Sequence, residues 1–282
     1  MRLGIADRAA IGGQDRGALM TEEPLLGGVA NAGAVTRIGS HVLRPAGPHV
    51  ASIHRLLRSV RLAGFDGAPV PADSDQDGRE RLEYIEGEVP VPPYPEWAQS
   101  GSALESVASL LRRFHRASAS FDLTGTTWST ELADPVACTD SVCHNDVCLE
   151  NVVFRDGQAV ALLDFDFAAP GRAVYDVARL ALMCVPIDDD LSAARLGWQP
   201  ADKVARLALV AEAYSLDVAG RASLLEILSE MIARGGEFVR RQVEAGNQNF
   251  AQMWHEMGGA ERFDRRRRWW GEQQASFAAR FL

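Results

Sequence analysis

A polar segment from His144 to Asn151, followed by a predicted β-hairpin and an aspartate, limits the fold more than any other part of the sequence. The hairpin strands are Val152–Arg155 and Ala159–Leu163, and the Asp156-Gly157 between them is typical of two-residue hairpin turns. Because such a turn reverses the chain, Asp164 at the end of the second strand is predicted to lie beside the polar segment that precedes the first.

Two carboxylates and one carboxamide, from Asp146, Asp164 and Asn151, are thus expected to converge at one end of the hairpin. Hard oxygen ligands of this kind hold Mg²⁺ on a nucleoside triphosphate, while a separate carboxylate orients a hydroxyl and takes its proton. Neighbouring carboxylates suppress each other's ionisation, a cost that a bound cation relieves. An isolated Asp more often caps a turn, but the spacing His-x-Asp-x4-Asn, the hairpin and Asp-Phe-Asp occur together and favour phosphoryl transfer.

A stiff proline-rich link at 89–95 divides the chain into two parts of different pattern. Residues 1–20 are predicted to be a loose extension, 21–88 a small strand-rich lobe, and 89–282 a larger helical lobe that carries the catalytic loop and the acceptor pocket. With 282 residues, 47% of them hydrophobic, the chain can bury two lobes around one cleft. The predicted class is α+β and two-lobed.

Local patterns predict the elements within each lobe. In the first lobe they are the strands Leu25–Val29, Val35–Ile38, His41–Arg44 and Arg81–Ile85 and the helix Ala51–Leu62. In the second lobe they are a helix that begins at the capping box of Ser102 and Glu105, and helices over 201–214 and 222–243.

This cluster resembles the catalytic and metal-binding segments of the aminoglycoside phosphotransferase family. Members of that family are relatives of the protein kinases and of choline-type kinases. The similarity extends to Ala169–Ala178, where a glycine turn leads into a helix that opens with Asp, and upstream to Gly27–Asn31 and Glu83–Gly87. The resemblance implies a protein-kinase-like fold with a small antiparallel-sheet lobe, Mg²⁺ as cofactor and ATP or GTP as co-substrate.

The resemblance also implies a role for each matching residue. Asp146 would be the catalytic base, His144 would brace its loop and Asp176 would tether it. Asn151 and Asp164 would bind Mg²⁺. The nucleotide would be contacted by residues of the covering turn, the third strand and the hinge: Gly28, Asn31, Arg44, Glu83 and Ile85. Asp166 either supports the site or is a solvated residue at a strand end.

The residues expected to bind the nucleotide phosphates depart from the family's pattern. Arg44 stands where relatives usually have lysine, and the helix after it has no acidic residue to pair with such a cation. Arg44 is therefore either a phosphate anchor or a surface arginine on an edge strand. His54 faces roughly where the missing acid would lie, although a helix-surface histidine is the more ordinary role, and Asn145 replaces a glycine.

Charge and composition limit the partners. The net charge of −9 argues against nucleic acid, and acidic or basic residues interrupt every apolar stretch, so we expect no membrane span. The four cysteines have no zinc spacing and are expected to be reduced thiols in a cytoplasmic protein, whose oligomeric state stays open. Asp188–Asp190 could line a pocket for a cationic substrate, although a solvated loop is favoured, and Arg265–Arg268 is interpreted as a helix end with exposed arginines.

The sequence therefore predicts a phosphotransferase that moves the terminal phosphoryl group of ATP or GTP to a hydroxyl of a small molecule, an aminoglycoside-like antibiotic or another natural product among the candidates. The alternative is a non-catalytic binding or immunity protein that uses the same cleft without phosphoryl transfer. The departures at Arg44 and in the following helix motivate this second hypothesis.

Overall fold

The computed structural model of the chain describes residues 22–25, 33–72, 78–136 and 138–282. Its strands are β1 (Glu23–Pro24), β2 (Thr36–Ile38), β3 (His41–Arg44), β4 (Glu80–Glu83), β5 (Ser141–Cys143), β6 (Val152–Arg155), β7 (Gln158–Leu162) and β8 (Ala169–Gly171). Its α-helices are α1 (Val50–Leu62), α2 (Gly101–Ser118), α3 (Ala173–Cys184), α4 (Asp190–Arg195), α5 (Lys203–Tyr214), α6 (Val218–Ala233), α7 (Glu237–Glu244), α8 (Gln248–Glu256) and α9 (Gly259–Phe281). Short 3₁₀ turns lie at Glu96–Gln99, Leu149–Asn151 and Phe165–Phe167.

The smaller lobe is an antiparallel sheet with the strand order β1-β2-β3-β4, accompanied by α1. In the β3–β4 ladder Arg44 lies opposite Glu80, and His41 lies opposite Glu83. Because β3 lies between β2 and β4, Arg44 is on an inner strand. The predicted extension 1–20, and most of the strand predicted at Leu25–Val29, lie outside the described residues.

Helix α1 forms as predicted, one residue longer at its start, because it presents one continuous apolar face. The buried residues of this face recur at helical spacing: Ile53, Leu56, Leu57 and Val60. The face packs against α2 and against the 3₁₀ turn Phe165–Phe167. Since that turn follows Asp164, α1 lies directly behind the segment predicted to be catalytic.

Helix α2 is central to the larger lobe, where it packs against α5, β7, β5 and α3. The predicted capping box at Ser102 and Glu105 is wrong, because Ser102 already lies in the first helical turn. The cap is Ser100, whose Oγ accepts a hydrogen bond from the amide of Ala103 at 3.1 Å. Only Ser102 has a glutamate three residues later, but Ser100 is equally a preferred N-cap residue, and the helix begins directly after it.

The single helix predicted over 222–243 is also wrong, since α6 and α7 divide it. Gly236 between them has φ +88°, and a Cβ at this position would lie 2.8 Å from Cδ2 of Phe263. The turn therefore requires glycine both for its backbone conformation and for the close approach of α9. The adjacent glycines 235 and 236 were the available signal for this break.

The α+β class is confirmed by the antiparallel sheet followed by a larger helical part. No helix within the described residues is both long and apolar enough to cross a bilayer. The exact lobe boundary at residues 88 and 89 stays a prediction.

Candidate active site

The predicted hairpin brings the two ends of the polar cluster together. Strands β6 and β7 pair in antiparallel register with Val152 opposite Leu162, and the amide of Leu163 donates to the carbonyl oxygen of Asn151 at 2.8 Å. Asp164 follows directly, in the left-handed region at φ +59°. This backbone turn takes the chain out of the strand and places Asp164 at the end of the hairpin where Asn151 begins it.

Asn151 is oriented by the loop that carries Asp146. Its Nδ2 donates to the backbone oxygen of Asp146 at 2.9 Å and to the carboxylate Oδ2 of Asp146 at 3.0 Å. Because both amide protons are engaged, the carbonyl oxygen Oδ1 of Asn151 remains as the ligating atom of the side chain. The two predicted members of the site are thus in direct contact.

His144 braces this loop, as the resemblance implies. Its fully buried ring lies against Phe165, with the ring centroids 4.6 Å apart. Nε2 is 2.8 Å from the carbonyl oxygen of Leu163, and Nδ1 accepts the amide of Asp146 at 3.3 Å. Since a carbonyl oxygen only accepts and an amide only donates, these contacts define the Nε2–H tautomer. His144 therefore links the Asp146 loop to the strand end that carries Asp164.

Asp176, the first acidic residue of α3, holds the same loop from the opposite side. Its Oδ2 accepts the amide of His144 at 2.6 Å and its Oδ1 accepts the amide of Asn145 at 2.9 Å. His115 on α2 contacts Oδ2 at 3.0 Å. Burial alone raises the pKa of Asp176, but the hydrogen bonds from His115 and from the backbone amide of His144 outweigh it and hold the pKa below its usual value.

Asn145 explains why glycine can be replaced at this position of the loop. Its φ is +65°, in the left-handed region, which Asn tolerates better than most residues with a Cβ. Its Nδ2 also donates to the carbonyl oxygen of Phe167 at 3.0 Å. The substitution therefore retains the backbone shape and adds a tie to the segment after Asp164.

Arg44 lies in the site and not on the surface. It is only 7% exposed, and its guanidinium makes ion pairs at 2.5 Å to Glu80, 2.9 Å to Asp164 and 2.6 Å to Asp166. Burial lowers its pKa, but the charges of the three carboxylates outweigh this and raise the pKa well above its usual value. The edge-strand alternative for Arg44 is therefore wrong. Asp166, whose role was open, is one of its ligands.

Glu80 is the acidic partner that sequence reasoning missed. It lies on β4 instead of α1, is 2% exposed, and contacts His54 of α1 at 2.8 Å as well as Arg44. Burial raises its pKa, and the contacts with His54 and Arg44 together lower it below the usual value. The acid absent from the helix is thus supplied by the neighbouring strand, and the helix contributes a histidine that holds this acid. His54 is not an ordinary surface histidine.

Glu80→Gln is expected to lower the free energy of unfolding by about 1.5–3 kcal/mol, because a buried charged acceptor of two hydrogen bonds is lost. Glu83→Gln is the matched control on the same strand, since Glu83 pairs with Arg61 at 3.3 Å with both side chains exposed. That change should cost less than about 1 kcal/mol. Urea denaturation of both variants measures the difference, and equal costs would contradict the role of Glu80.

The site carries more negative than positive charge. Burial raises the pKa of Asp146 and the nearby charge of Asp164 raises it further, whereas His144, Arg179 and the hydrogen bond from Asn151 lower it. Burial and the charge of Asp164 raise the pKa of Asp166 to about 6, against the lowering effect of Arg44. A divalent cation would relieve this repulsion, and its ligands would be the hard oxygens Asn151 Oδ1 and the carboxylate of Asp164. The donor set fits Mg²⁺.

The remaining predicted nucleotide residues are not gathered around Arg44. Gly28 and Asn31 lie outside the described residues. The carboxylate of Glu83 is exposed and pairs with Arg61, and Ile85 is half-buried after β4 ends. Their proposed contacts with a nucleotide stay predictions.

The interpretation of Asp188–Asp190 as a solvated loop is wrong for Asp188, whereas the side chain of Asp190, at the start of α4, is 92% exposed. Asp188 is 2% exposed and pairs with Arg262 at 2.9 Å and with Arg266. Arg262 and Arg266 belong to the interior of α9, so the interpretation of Arg265–Arg268 as an exposed helix end is wrong in part; Arg267 and Arg268 are exposed. The pairing joins positions more than seventy residues apart in the chain, which local sequence patterns do not reveal.

The sequence around this cluster matches a known family. Residues 122–209, which include Asp146, Asn151, Asp164 and Asp176, match the sequence model of the phosphotransferase enzyme family. The predicted resemblance is confirmed. This match covers about a third of the chain, and it contains the whole β6–β7 hairpin.

Solved structures with the same fold agree. A choline/ethanolamine kinase family protein from Mesorhizobium loti is 17% identical with a TM-score of 0.57, covering 94% of each chain. The streptomycin–ATP–APH(2")-IIa ternary complex is 14% identical with a TM-score of 0.50, covering 86% of this chain and 93% of that chain. At such identities the likeness concerns the fold alone, and it confirms the two-lobed, protein-kinase-like class.

One relative of higher sequence identity is named as an immunity protein. The trifolitoxin immunity protein of Rhizobium leguminosarum bv. trifolii is 35% identical over 167 residues, which are 58% of this chain and 62% of that protein. The match therefore spans less than two thirds of the relative's length.

Proposed function

We propose that this chain is a small-molecule kinase that moves the terminal phosphoryl group of ATP or GTP to a hydroxyl group. The observation that carries the proposal is the convergence of Asp146, Asn151 and Asp164 at one end of the β6–β7 hairpin, with Arg44 beside Asp164. The family match over 122–209 supports phosphoryl transfer to a small molecule. Aminoglycoside-like antibiotics and other natural products are the candidate acceptors.

In this proposal Asp146 is the catalytic base. The acceptor oxygen forms a bond to the terminal phosphorus, the bond from that phosphorus to the bridging oxygen breaks, and the nucleoside diphosphate leaves with the electron pair. The hydroxyl proton passes to the carboxylate of Asp146. Hydrogen bonds from Asn151 Nδ2 and the brace of His144 hold that carboxylate in place, so the hydroxyl meets a positioned acceptor.

Asn151 and Asp164 would hold Mg²⁺, which when bound neutralises phosphate charge. Arg44 would anchor the other phosphates with its planar, bidentate guanidinium. Glu80 and His54 keep that guanidinium at the inner strand, close to the hairpin end. Residues of both lobes would thus bind the nucleotide and the metal.

The test is Mg²⁺-dependent triphosphate binding, measured by calorimetry. Wild-type protein should bind a non-hydrolysable ATP or GTP analogue only with Mg²⁺ present, and Asp164→Ala should weaken binding at least about tenfold. Asp264→Ala is the control, because Asp264 is an exposed partner of Arg267 on α9. Equal affinities in wild type and Asp164→Ala, or binding that survives removal of the metal with EDTA, would remove the proposal.

The second candidate function is a non-catalytic binding or immunity protein. It is favoured by the likeness to the trifolitoxin immunity protein and by the capture of Asp164 by Arg44. In this case the cleft binds a ligand tightly, and any slow triphosphate turnover survives Asp146→Asn. Turnover lost with this substitution would decide against it.

A further inference from the structure

The acidic run that could have received a cationic acceptor is already neutralised. Each of its three carboxylates has a basic partner: Asp188 with Arg262 and Arg266, Asp189 with Arg265 at 3.6 Å, and Asp190 with Lys203 at 2.5 Å. Asp189 in addition caps α4 through Ser192. Within the described ranges, this part of the larger lobe therefore does not present unpaired acids to a polycation.

Arg179 is a cation that faces the catalytic loop. It lies one turn after Asp176 on α3, and residues three apart share a helix face. Asp176 on that face binds the amides of His144 and Asn145, so Arg179 is directed toward the same loop. Its positive charge lowers the pKa of Asp146, in agreement with this placement.

Arg179 has no anionic partner among the described residues. Its side chain is half-buried, and its Nε is fully buried without a hydrogen-bond acceptor there. Neighbouring arginines behave differently: Arg172 pairs with Asp134 at 2.7 Å, and Arg206 donates to three backbone carbonyls. The enclosed Nε is closed to a ligand as it is to water, so an anion would have to reach the terminal Nη groups of this half-buried side chain.

The chemistry of the unused group defines the ligand. A guanidinium presents paired N–H donors that match a carboxylate or a phosphate bidentately, and it repels ammonium groups. Within the described residues it forms no ion pair with Asp146, although its charge acts on that carboxylate. An acceptor hydroxyl placed at Asp146 would therefore lie within reach of the Arg179 charge.

We propose that Arg179 binds an anionic group of the acceptor, a carboxylate or phosphate close to the hydroxyl that is phosphorylated. This inference rests on the proposed function, and it narrows the acceptor to a hydroxylated anion, such as a hydroxy acid or a sugar phosphate. A polycationic aminoglycoside would instead bring ammonium groups against the Arg179 guanidinium.

The experiment uses inorganic phosphate as the anion probe and tetramethylammonium as the cation probe. Each is titrated by calorimetry into protein saturated with Mg²⁺ and a non-hydrolysable ATP analogue. Phosphate should bind the wild type, Arg179→Met should weaken it at least about tenfold, and tetramethylammonium should not bind. Arg234→Met is the matched control. The charges of Arg179 and Arg234 both lower the pKa of Tyr175, but Arg234 is exposed and paired with Glu230 at 3.3 Å.

The remaining outcomes distinguish an anionic group of the acceptor from the phosphates of the nucleotide as the ligand of Arg179. If Arg179→Met weakens triphosphate more than diphosphate, Arg179 serves the transferred phosphoryl group, and the acceptor assignment is overturned. Phosphate that binds equally to wild type and Arg179→Met, or a wild type that binds only tetramethylammonium or neither probe, also overturns it. Triphosphate binding by the wild type, measured in the same series, reports separately on the proposed function.

Discussion

Asp146→Asn is expected to lower phosphoryl transfer by about 10²–10⁴-fold, the usual contribution of a positioned general base. The amide has nearly the shape of the carboxylate but cannot take the hydroxyl proton. Mg²⁺-dependent triphosphate affinity should change less than about threefold, since Asp164 and Arg44 are untouched and the new amide still offers an acceptor oxygen to Asn151 Nδ2. Formation of nucleoside diphosphate measures turnover, first with water as the acceptor and then with a panel of hydroxylated compounds.

Asp156→Asn is the matched control for this experiment. Asp156 is in the two-residue turn of the hairpin at φ +51°, where Asn is well tolerated. The substitution replaces a carboxylate by an amide, as Asp146→Asn does, but at the opposite end of the hairpin. Its turnover should equal that of the wild type. If Asp146→Asn retains turnover within about threefold of this control, the base assignment fails and the binding or immunity alternative gains support.

The β6–β7 hairpin could be predicted from the sequence because the signal for it is local. The two-residue Asp-Gly turn predicts that β6 and β7 pair, and a register shift between Val153 and Phe154, which the turn does not predict, brings Val152 opposite Leu162. Asp164 still follows the strand end beside Asn151. The apolar spacing of α1 likewise needs no distant partner. Where neighbouring residues decide the geometry, the prediction and the structure agree.

The ion pairs of Arg44 were less predictable, because the carboxylates that it contacts are distant from it in the chain. Glu80 lies 36 residues after Arg44, and only the pairing of β3 with β4 brings them together. The absence of an acid from α1 was visible, but the strand that supplies it was not. His54 was noticed for its place on the helix, and its partner could be found only after the ladder register was known.

Asn145 shows a signal that sequence reasoning saw without using. Asn145 departs from the glycine of the family's pattern, yet Asn is among the residues that adopt positive φ. The conformation could therefore have been inferred from the residue type. In contrast, the burial of Asp188 between Arg262 and Arg266 depends on how α9 packs across the larger lobe.

Asp176→Asn is expected to lower the free energy of unfolding by about 3–5 kcal/mol, the usual cost of breaking a buried charged network. The carboxylate is completely buried and accepts from two backbone amides and His115. Asn retains one acceptor oxygen and would direct an NH₂ group at a donor. Asp217→Asn is the control: Asp217 is an exposed helix cap that accepts the amide of Gly220 at 2.7 Å, and Asn caps equally well.

The difference between wild type and Asp176→Asn should also depend on pH. The pKa of Asp176 is lower in the folded protein than its ordinary value of 3.8, so its stabilising contribution is present above that value. The contribution is lost as the pH falls through the lower, folded pKa, because the unfolded chain then binds the proton first. Urea denaturation should therefore give the largest difference near neutral pH and a shrinking one below about pH 4. A difference that stays constant down to about pH 3 would mean that the charge of Asp176 does not hold the catalytic loop.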